Sequence, residues 1–369
     1  MMKSSICNLW RQYGIQTEPS ASESKAGLDQ TMVQGSIAAS REKAMAKYHE
    51  LNAGADTVHW GYFDAALKPV LKIDSGDTVT LTTISGSPEL LPKPDTELKI
   101  LPENAEVYAR HSYRLGPHIM TGPIYVEGAE PGDTLEVRIK NIQLRQNWGY
   151  NLIRPLSGTI PEDFGQTWRA IQIPIDINAQ VAYPPWGGRL ELAPFFGNMG
   201  NAPLPVYGRL NSIIPREFGG NIDNKELTAG TTLFLPVFNR GALFSAGDGH
   251  AVQGDGEVCV TAIETALRGT FELIVRKDMK LTLPRAETPT HFITMAFDSD
   301  FDQAAKQAVR EMLQLLNEKV GLSREDAYSF MSLACDVRVT QLVNEHKGAH
   351  VMVPKALLDM SPRTSSNQG

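Results

Sequence analysis

A glycine-rich stretch near the middle of the chain concentrates the side chains best suited to chemistry. It reads GALFSAGDGHAVQGDGEVCVTAIE over residues 241–264 and places Asp248, His250, Asp255 and Glu257 within ten residues. In an extended segment, residues two apart face the same side, so Asp248 would join His250 and Asp255 would join Glu257. Converging carboxylates and imidazoles are donors that a divalent cation needs. The pattern favours a metal site over a solvated Asp-Gly turn.

Three further segments carry polar or titratable groups with weaker patterns. Asn221 and Asp223 in GGNIDN could coordinate an ion or bind an amide, or they could form an Asx turn. His59 lies in the apolar, aromatic segment TVHWGYF, and His118 lies in GPHIMTGPIY before a tight turn. A single histidine in such surroundings is more often a packed core residue than a ligand.

A cysteine nucleophile is the main chemical alternative. Cys259 follows Glu257 by two residues, and a Cys–Glu pair could support nucleophilic cleavage of an amide. A cysteine in a β run is more often a small buried apolar residue. The sequence has no G-x-S-x-G, H-E-x-x-H, P-loop or G-x-G-x-x-G motif, which argues against common proteases, NTPases and dinucleotide enzymes.

The elements around these residues are predicted to be mainly β. Alternating apolar and polar residues around Ser-Gly-Asp, Pro-Gly-Asp and Ala-Gly-Thr turns indicate strand–turn–strand units at 70–84, 125–144 and 227–248. The Gly- and Pro-rich segment 183–203 is predicted to be a loop that either covers the core or forms a pocket wall. We therefore expect β-sandwich-like sheets with long Gly/Pro-rich loops.

The ends of the chain differ from this β region. Residues 1–40 are predicted to be a mobile arm before a catalytic region over 41–360, and 41–51 a short helix. A C-terminal helical hairpin is expected within 298–335, because Ala305, Val309, Met312, Leu316 and Val320 have helical spacing. Gly321 would end its first helix, Ser323 with Asp326 would cap the second, and a short strand at 337–343 and a disordered tail would follow.

Bulk composition limits the class of protein. The 369 residues are 42% hydrophobic and 21% charged, with a formal net charge of -7, which disfavours nucleic-acid or anionic-membrane partners. Three widely spaced cysteines exclude a disulfide scaffold and a zinc ribbon. No signal-peptide core or membrane helix is evident in the sequence, so we expect a cytoplasmic protein.

Several segments, in order, resemble the acetamidase/formamidase family and cover most of residues 55–275. The stretch 241–264 is the most specific of them. The others are the His59-Trp60 segment with the SGDTV turn, HIMTGPIYVEGAEPGDTL, PFFGNMGNAP, GGNIDNKELTAGTTLFLPVF and the C-terminal DVRVTQLVN and GAHVMVPK.

The resemblance implies a homo-oligomeric, β-rich hydrolase of small linear amides with a bound zinc or calcium ion, zinc being favoured. Because amide hydrolysis needs an activated water, a polarised carbonyl and a proton for the departing amine, roles can be assigned to the candidate residues. The predicted metal ligands are His59, Asp248 and His250, with Asp223 as a further one. Glu257 is the predicted general base and acid, His118 orients the carbonyl, and Asn221 and Gln253 bind the amide.

A protein of another class remains an alternative. A binding or storage protein could hold a structural calcium in the same Gly-Asp loop. Such a protein would bind an ion but release no ammonia from any amide, whereas a cysteine amidase would release ammonia without a metal.

Overall fold

The computed structural model describes residues 46–111 and 115–359. These residues form mainly strands, arranged in two large sheets and one small one, with three α-helices in this part of the chain. The predicted mainly β class with a C-terminal helical hairpin is confirmed. The predicted arm over 1–40 and the tail from residue 360 lie outside the described residues.

The described residues contain 22 strands. They are β1 Tyr48–Leu51, β2 Val58–Trp60, β3 Tyr62–Phe63, β4 Leu71–Ile73, β5 Thr78–Thr82, β6 Ile119–Val126, β7 Thr134–Leu144, β8 Trp148–Ile153, β9 Arg169–Asp176, β10 Val181–Ala182, β11 Leu190–Glu191, β12 Phe195–Gly200, β13 Leu210–Asn211, β14 Gly219–Asn221, β15 Thr232–Pro236, β16 Phe244–His250, β17 Glu264–Thr265, β18 Leu267–Arg276, β19 Arg285–Glu287, β20 His291–Asp298, β21 Asp336–Gln341 and β22 Lys347–Pro354.

One sheet has nine strands in the order β1-β5-β18-β7-β15-β19-β20-β22-β21 within the described chain. The other has eleven, of which β11-β10-β9-β8-β17-β16-β12-β14 form a continuous path; β6 pairs with β16, β2 and β4. Strands β3 and β13 form the small sheet. The eleven-stranded sheet carries most of the candidate chemistry, because β16, β14 and β17 lie in it.

The two large sheets share an apolar core. Phe271 on β18 packs against Phe196 on β12 and Phe244 on β16, with ring centroids 5.4 and 6.0 Å apart. The same cluster includes Leu135 of the nine-stranded sheet and Ile124 of the other, both fully buried. Burial of aliphatic and aromatic side chains on facing sheets is the main stabilising term of such a sandwich.

The predicted strand–turn–strand units are present, but their strands do not form hairpins. In the first two units the strands on either side of the turn belong to different large sheets: β4 and β5, and β6 and β7. In the third unit the Ala-Gly-Thr turn precedes β15, and residues 237–243 link β15 to β16 in the other sheet. These connections therefore carry the chain from one layer of the sandwich to the other.

Three helices lie in the described part of the chain: α1 Asn104–Arg110, α2 Phe301–Val320 and α3 Arg324–Ala334. Helix α2 ends at Gly321 in a left-handed conformation with φ 69°. The Ser323 hydroxyl accepts a hydrogen bond from the Asp326 backbone N–H, so the predicted cap of α3 is present. Helices α2 and α3 pack with β20 and β22 in a separate apolar cluster. No helix of the described residues is long and apolar enough to cross a membrane.

Local expectations were wrong at two places and incomplete at a third. Residues 48–51 are not helical but form β1, which pairs in parallel with β5. The segment 183–203 is not all loop, since it contains β11 and β12. The short strand predicted at 337–343 is confirmed as β21, and an additional strand that was not predicted, β22, pairs with both β20 and β21. Pairing with neighbouring strands, which is not encoded locally, decides each case.

Candidate metal and active site

Four buried carboxylates surround one buried histidine at the inner end of a cavity. The ligand atoms of Asp223, Asp248 and His250 all lie within 4.8 Å of one another. Those of His250, Glu257 and Glu264 do the same. All five residues are buried. The sequence had placed Asp223, Asp248 and His250 in one predicted ligand set, and the fold brings them together.

The imidazole of His250 is the centre of this group. Its Nε2 lies 3.3 Å from Glu264 Oε1, 3.5 Å from Asp248 Oδ1 and 3.9 Å from Asp223 Oδ1. Its Nδ1 is 2.9 Å from Gln253 Oε1. The ring of Phe195 stands edge-on at 4.9 Å between centroids. Neighbours on both sides of the ring thus direct Nε2 towards the carboxylates.

Uncharged amides hold the carboxylates in place. The Asn344 side chain donates to Asp223 Oδ2, and the Asn198 side chain donates to Asp248 Oδ2 at 3.2 Å. Gln253 donates through Nε2 to the backbone carbonyl of Asp223 at 3.0 Å. Hydrogen bonds of this kind fix the orientation of candidate ligands.

Gly197 leaves the space in which these ligand atoms meet. The pairs Phe196↔Gly249 and Asn198↔Gly247 place it opposite Asp248 in the β12–β16 ladder. A Cβ atom on Gly197 would come under 3.0 Å from Asp223 Oδ1, Asp248 Oδ2 and His250 Cε1. Any larger residue there would therefore occupy the centre of the cluster.

Three of the carboxylates sit on strained backbone. Asp223, Asp248 and Glu257 have φ values of 51°, 59° and 46°, in the left-handed region that non-glycine residues seldom adopt. Each such residue costs on the order of 1–3 kcal/mol, and such strain is concentrated at functional sites. The strained backbone thus lies where the carboxylates converge.

Burial and mutual repulsion shift the titration of the cluster. Burial raises the pKa of Asp223 to about 7, and the Asp248 charge adds to the rise. Burial also raises the pKa of Glu264 to about 7 and that of Glu257 well above its usual range. Burial would raise the pKa of Asp248 too, but the charges of His118 and His250 hold it below its ordinary value. Burial would lower the pKa of His250, yet Glu264 and Asp248 raise it well above its usual value.

The donor set fits a divalent cation. The carboxylates cannot all ionise together without a compensating positive charge. Asp223 Oδ1 and Glu257 Oε2 are buried and lack a hydrogen-bond partner among the described residues. Buried polar atoms without partners are rare and point to an unseen ion or water. Two carboxylates and an imidazole around an open cradle suit zinc, which takes mixed N and O ligands.

A cavity of about 240 Å³ leads away from the cluster. Asp223, Asp248, Glu257 and Glu264 line its polar end, together with Asn221 and His118. The remainder of the lining includes two charged residues, Glu89 and Arg154, and many apolar side chains, among them Trp60, Ile84, Leu90, Tyr150, Leu152 and Trp168.

The two predicted histidines outside the glycine-rich stretch have different surroundings. His118 lines the cavity, with Nε2 3.8 Å from Asp248 Oδ2 and Nδ1 2.9 Å from Ser212 Oγ. His59 is buried on β2, where Nδ1 bonds the Tyr62 carbonyl oxygen at 2.7 Å and Nε2 bonds Ser245 Oγ at 2.9 Å. Both ring nitrogens of His59 are thus engaged within the protein, and the fold does not bring them into the cluster.

Two other expectations need correction. Asp255 does not share a side with Glu257, because the segment is a series of turns rather than an extended strand. Asp255 instead forms salt bridges with Arg338 at 2.7 Å and Lys225 at 3.2 Å, while Glu257 is buried. Gln253, predicted to bind the amide, uses both ends of its side chain to brace His250 and Asp223.

The Cys259 side chain contacts polar groups of Asn151 and Thr261. Asn151 donates to its Sγ at 3.1 Å, and the same amide donates to the Thr261 hydroxyl at 2.9 Å. The thiol's own partners are the Asn151 amide and the Thr261 backbone carbonyl, neither of which activates a thiol, and Cys259 is not among the residues that line the cavity.

Four residues of the site were not predicted from the sequence: Glu264, Asn198, Asn344 and Gly197. Glu264 ends the glycine-rich stretch, so a count of carboxylates there would have included it. Asn344 lies 121 residues from its partner Asp223 and carried no local signal. Long-range pairing alone brings it to the site.

The site residues lie in a region of the chain that matches a known protein family. The chain matches the model of the Acetamidase/Formamidase family over residues 64–206 and 208–360. It is 30% identical over 202 residues to an acetamidase of Mycolicibacterium smegmatis, covering 38% of this chain and 49% of that protein. It is 26% identical over 295 residues to a formamidase of Methylophilus methylotrophus, covering 59% and 70%.

A solved structure shows the same architecture. The crystal structure of an acetamidase from Bacillus halodurans superposes with a TM-score of 0.71 at 31% identity, covering 84% of this chain and 98% of the other. The match to the Mycolicibacterium smegmatis protein spans only about half of that relative. The family model nevertheless spans most of the described fold, including all five residues of the cluster. The chain belongs to the acetamidase/formamidase family.

Proposed function

We propose that the chain is a metal-dependent amidohydrolase that cleaves the C–N bond of a small linear amide, such as formamide or acetamide, to carboxylate and ammonia. One observation carries the proposal: the cradle of Asp223, Asp248 and His250 opens into a cavity beside a buried carboxylate, Glu257, with an unpartnered oxygen. Family membership and the acetamidase and formamidase relatives support it.

Asp223, Asp248 and His250 are the proposed metal ligands. The imidazole favours zinc, with calcium as the alternative. A bound divalent ion would lower the pKa of a water towards ~7 and polarise the amide carbonyl. His59 leaves the proposed ligand set, because its ring nitrogens already bond Tyr62 and Ser245. Gln253 would orient one of these ligands, because its Oε1 bonds Nδ1 of His250.

Glu257 is the proposed proton shuttle. Its carboxylate takes the proton from the attacking water as the new C–O bond forms. It then returns that proton to the amide nitrogen as the C–N bond breaks, so that ammonia leaves. Burial raises the pKa of Glu257 well above its usual range, which favours the protonated form that donates to the amide nitrogen.

The remaining polar residues of the cavity would orient the substrate. His118 is held by Ser212 through Nδ1 and presents Nε2 towards Asp248, where a carbonyl oxygen could accept its proton. Asn221 lines the same end and is the proposed partner of the amide group. Homo-oligomer formation and a cytoplasmic location stay predictions.

The alternatives differ in what a chelator does. A cysteine amidase would keep its turnover without metal, and a storage protein would never release ammonia. The contacts of Cys259 Sγ with the Asn151 amide and the Thr261 backbone carbonyl argue against the first. The unpartnered Glu257 oxygen in a cavity argues against the second, because a purely structural ion site has no need of it.

The test is ammonia release from formamide, acetamide and propionamide, with and without a chelator. We expect turnover by the metal-loaded protein, loss on chelation and recovery when metal is restored. Asp248→Ala should lose both bound metal, measured by elemental analysis, and turnover. The matched control is Asp302→Ala, which removes an exposed carboxylate from α2. No turnover of any amide by the metal-loaded protein would refute the amidase proposal, and an active, metal-free Asp248→Ala would refute its metal dependence.

A further inference from the structure

Arg154 in the cavity wall forms no salt bridge within the described residues, whereas Arg285 and Arg338 do. Arg154 lines the cavity, and its Nε is buried without a hydrogen-bond partner among the described residues. By contrast, Arg285 and Arg338 each place a guanidinium nitrogen 2.7 Å from a carboxylate. Arg154 as a whole is only half-buried, but an Nε–H that is buried without a partner is costly, so a ligand that accepts from it would be favoured.

The strand that carries Arg154 runs along the cavity away from the cluster. Tyr150, Leu152 and Arg154 occupy alternate positions of β8 and the residue after it, and all three line the cavity. Burial raises the pKa of Tyr150 well above its usual value, and the charge of Glu264 adds to it, so Tyr150 marks the inner end. Four residues of strand span about 13 Å, which places the Arg154 backbone towards the outer end.

The outer end of the wall is exposed and aromatic. Ile153 pairs with Arg169 in the β8–β9 ladder, so the next pair outward is Arg154 and Trp168. Trp168 also lines the cavity and is 58% exposed, which places it at the mouth. The wall therefore runs from buried carboxylates through apolar side chains to a cation and an exposed indole, and the exposed carboxylate of Glu89 also lines the cavity.

The guanidinium is nevertheless within electrostatic reach of the inner site. Burial lowers the pKa of His118, and the positive charge of Arg154 contributes to that shift. The cavity of about 240 Å³ also exceeds what formamide needs, since a water takes up about 30 Å³ in the liquid. A longer acyl chain could thus extend from the cluster to Arg154.

We propose that Arg154 binds a carboxylate at the far end of the acyl chain, so that half-amides of short dicarboxylic acids are preferred substrates. This inference rests on the proposed amidase function. A guanidinium binds a carboxylate with two parallel hydrogen bonds, which gives both affinity and orientation. The apolar wall at Leu152 would contact the intervening methylene groups.

A simpler role for Arg154 is to offset the negative charge of the cluster. In that role the arginine would affect every amide alike, because the charge it balances belongs to the protein. In the proposed role it affects only substrates that carry the distal carboxylate. The two roles therefore differ in the ratio of kcat/KM for a substrate with the distal carboxylate to that for a substrate without it. The rate for a single substrate does not distinguish them.

The experiment compares succinamate with 4-oxopentanamide, a neutral amide with the same number of non-hydrogen atoms. We expect the metal-loaded wild type to have the higher kcat/KM for succinamate. Arg154→Gln should lower the succinamate-to-4-oxopentanamide ratio of kcat/KM by roughly 10- to 100-fold, as expected for a lost charge-assisted pair. Arg154→Lys, which keeps the charge but not the fork, should give an intermediate ratio.

The control is Arg310→Gln, which removes the same charge from an exposed position of α2 and should leave the ratio unchanged. An equal loss on both substrates in Arg154→Gln, or no succinamate preference in the wild type, would overturn the inference while the amidase proposal stands. Failure to release ammonia from formamide as well would instead refute the amidase proposal. If Arg154→Gln does not fold, as judged by its thermal melt, the wild-type and Arg154→Lys ratios decide.

Discussion

The helical hairpin of α2 and α3 buries apolar side chains, whereas the cluster around His250 buries four carboxylates. In α2 the buried positions include Ala308, Met312 and Leu316, which pack on β20 and β22. Its ends carry the usual devices, a side-chain cap at Asp300 and a left-handed glycine at 321. Each local preference of the hairpin agrees with its place in the fold.

The cluster departs from those preferences. Asp223, Asp248 and Glu257 adopt left-handed backbone, and two of their oxygens have no partner in the described chain. These features lower stability and position charge. The hairpin thus contributes stability and the cluster positions charge, which predicts that substitutions in the two regions have separable effects.

The largest expected effect is on turnover. Glu257→Gln keeps the size and shape of the side chain but removes the group that accepts a proton, so ammonia release should fall by roughly 10²–10⁴-fold. Bound metal and the free energy of unfolding should change little, because the buried Glu257 side chain is exchanged for a neutral one of the same shape. Elemental analysis and a denaturant titration check these points. Loss of metal would instead make Glu257 a ligand and leave the shuttle unassigned.

The converse change belongs to the hairpin. Leu316→Ala deletes a fully buried side chain from the apolar cluster beneath α2, and the free energy of unfolding should fall by about 2–5 kcal/mol. Turnover per folded molecule at a temperature well below the melting point should not change. Lys306→Ala, at an exposed position of the same helix, is the matched control and should change stability by less than about 0.5 kcal/mol. A loss of turnover that exceeds the loss of folded protein would show that the two regions are coupled.

The smallest expected effect is on the pH dependence of stability, and it arises from a histidine outside the cluster. His350 on β22 is buried, its Nε2 lacks a partner among the described residues, and burial lowers its pKa to about 4. The unfolded chain, with the ordinary value of 6.5, therefore binds this proton first as the pH falls. The contribution of His350 to stability is complete above pH ~6.5 and is lost as the pH falls towards 4.

The slope of stability against pH measures this contribution. Between pH 6 and 5, His350→Gln should reduce the slope of the unfolding free energy by up to about 1.4 kcal/mol per pH unit. Denaturant titrations of the wild type and the variant at matched pH values give the two slopes. Identical slopes would mean that His350 titrates normally in the folded protein.

Some features of this protein follow from sequence alone. The cap at Ser323, the stop at Gly321 and the period of Met312 and Leu316 act within one or two turns of helix, so the pattern contains the information. The glycine-rich stretch likewise pointed to Asp248 and His250, because two residues of strand suffice to place them on one side.

Tertiary structure decided the remainder. The strands of each strand–turn–strand unit enter different sheets, a choice made by pairing with distant strands. Asn344 reaches Asp223 across 121 residues, and Gly197 lies opposite Asp248 only because β12 and β16 are in register. The separation of Glu257 from Asp255 depends on a left-handed turn that no alternation pattern encodes. Contacts between residues far apart in sequence are set by the packing of the two sheets, and short-range preferences carry no record of them.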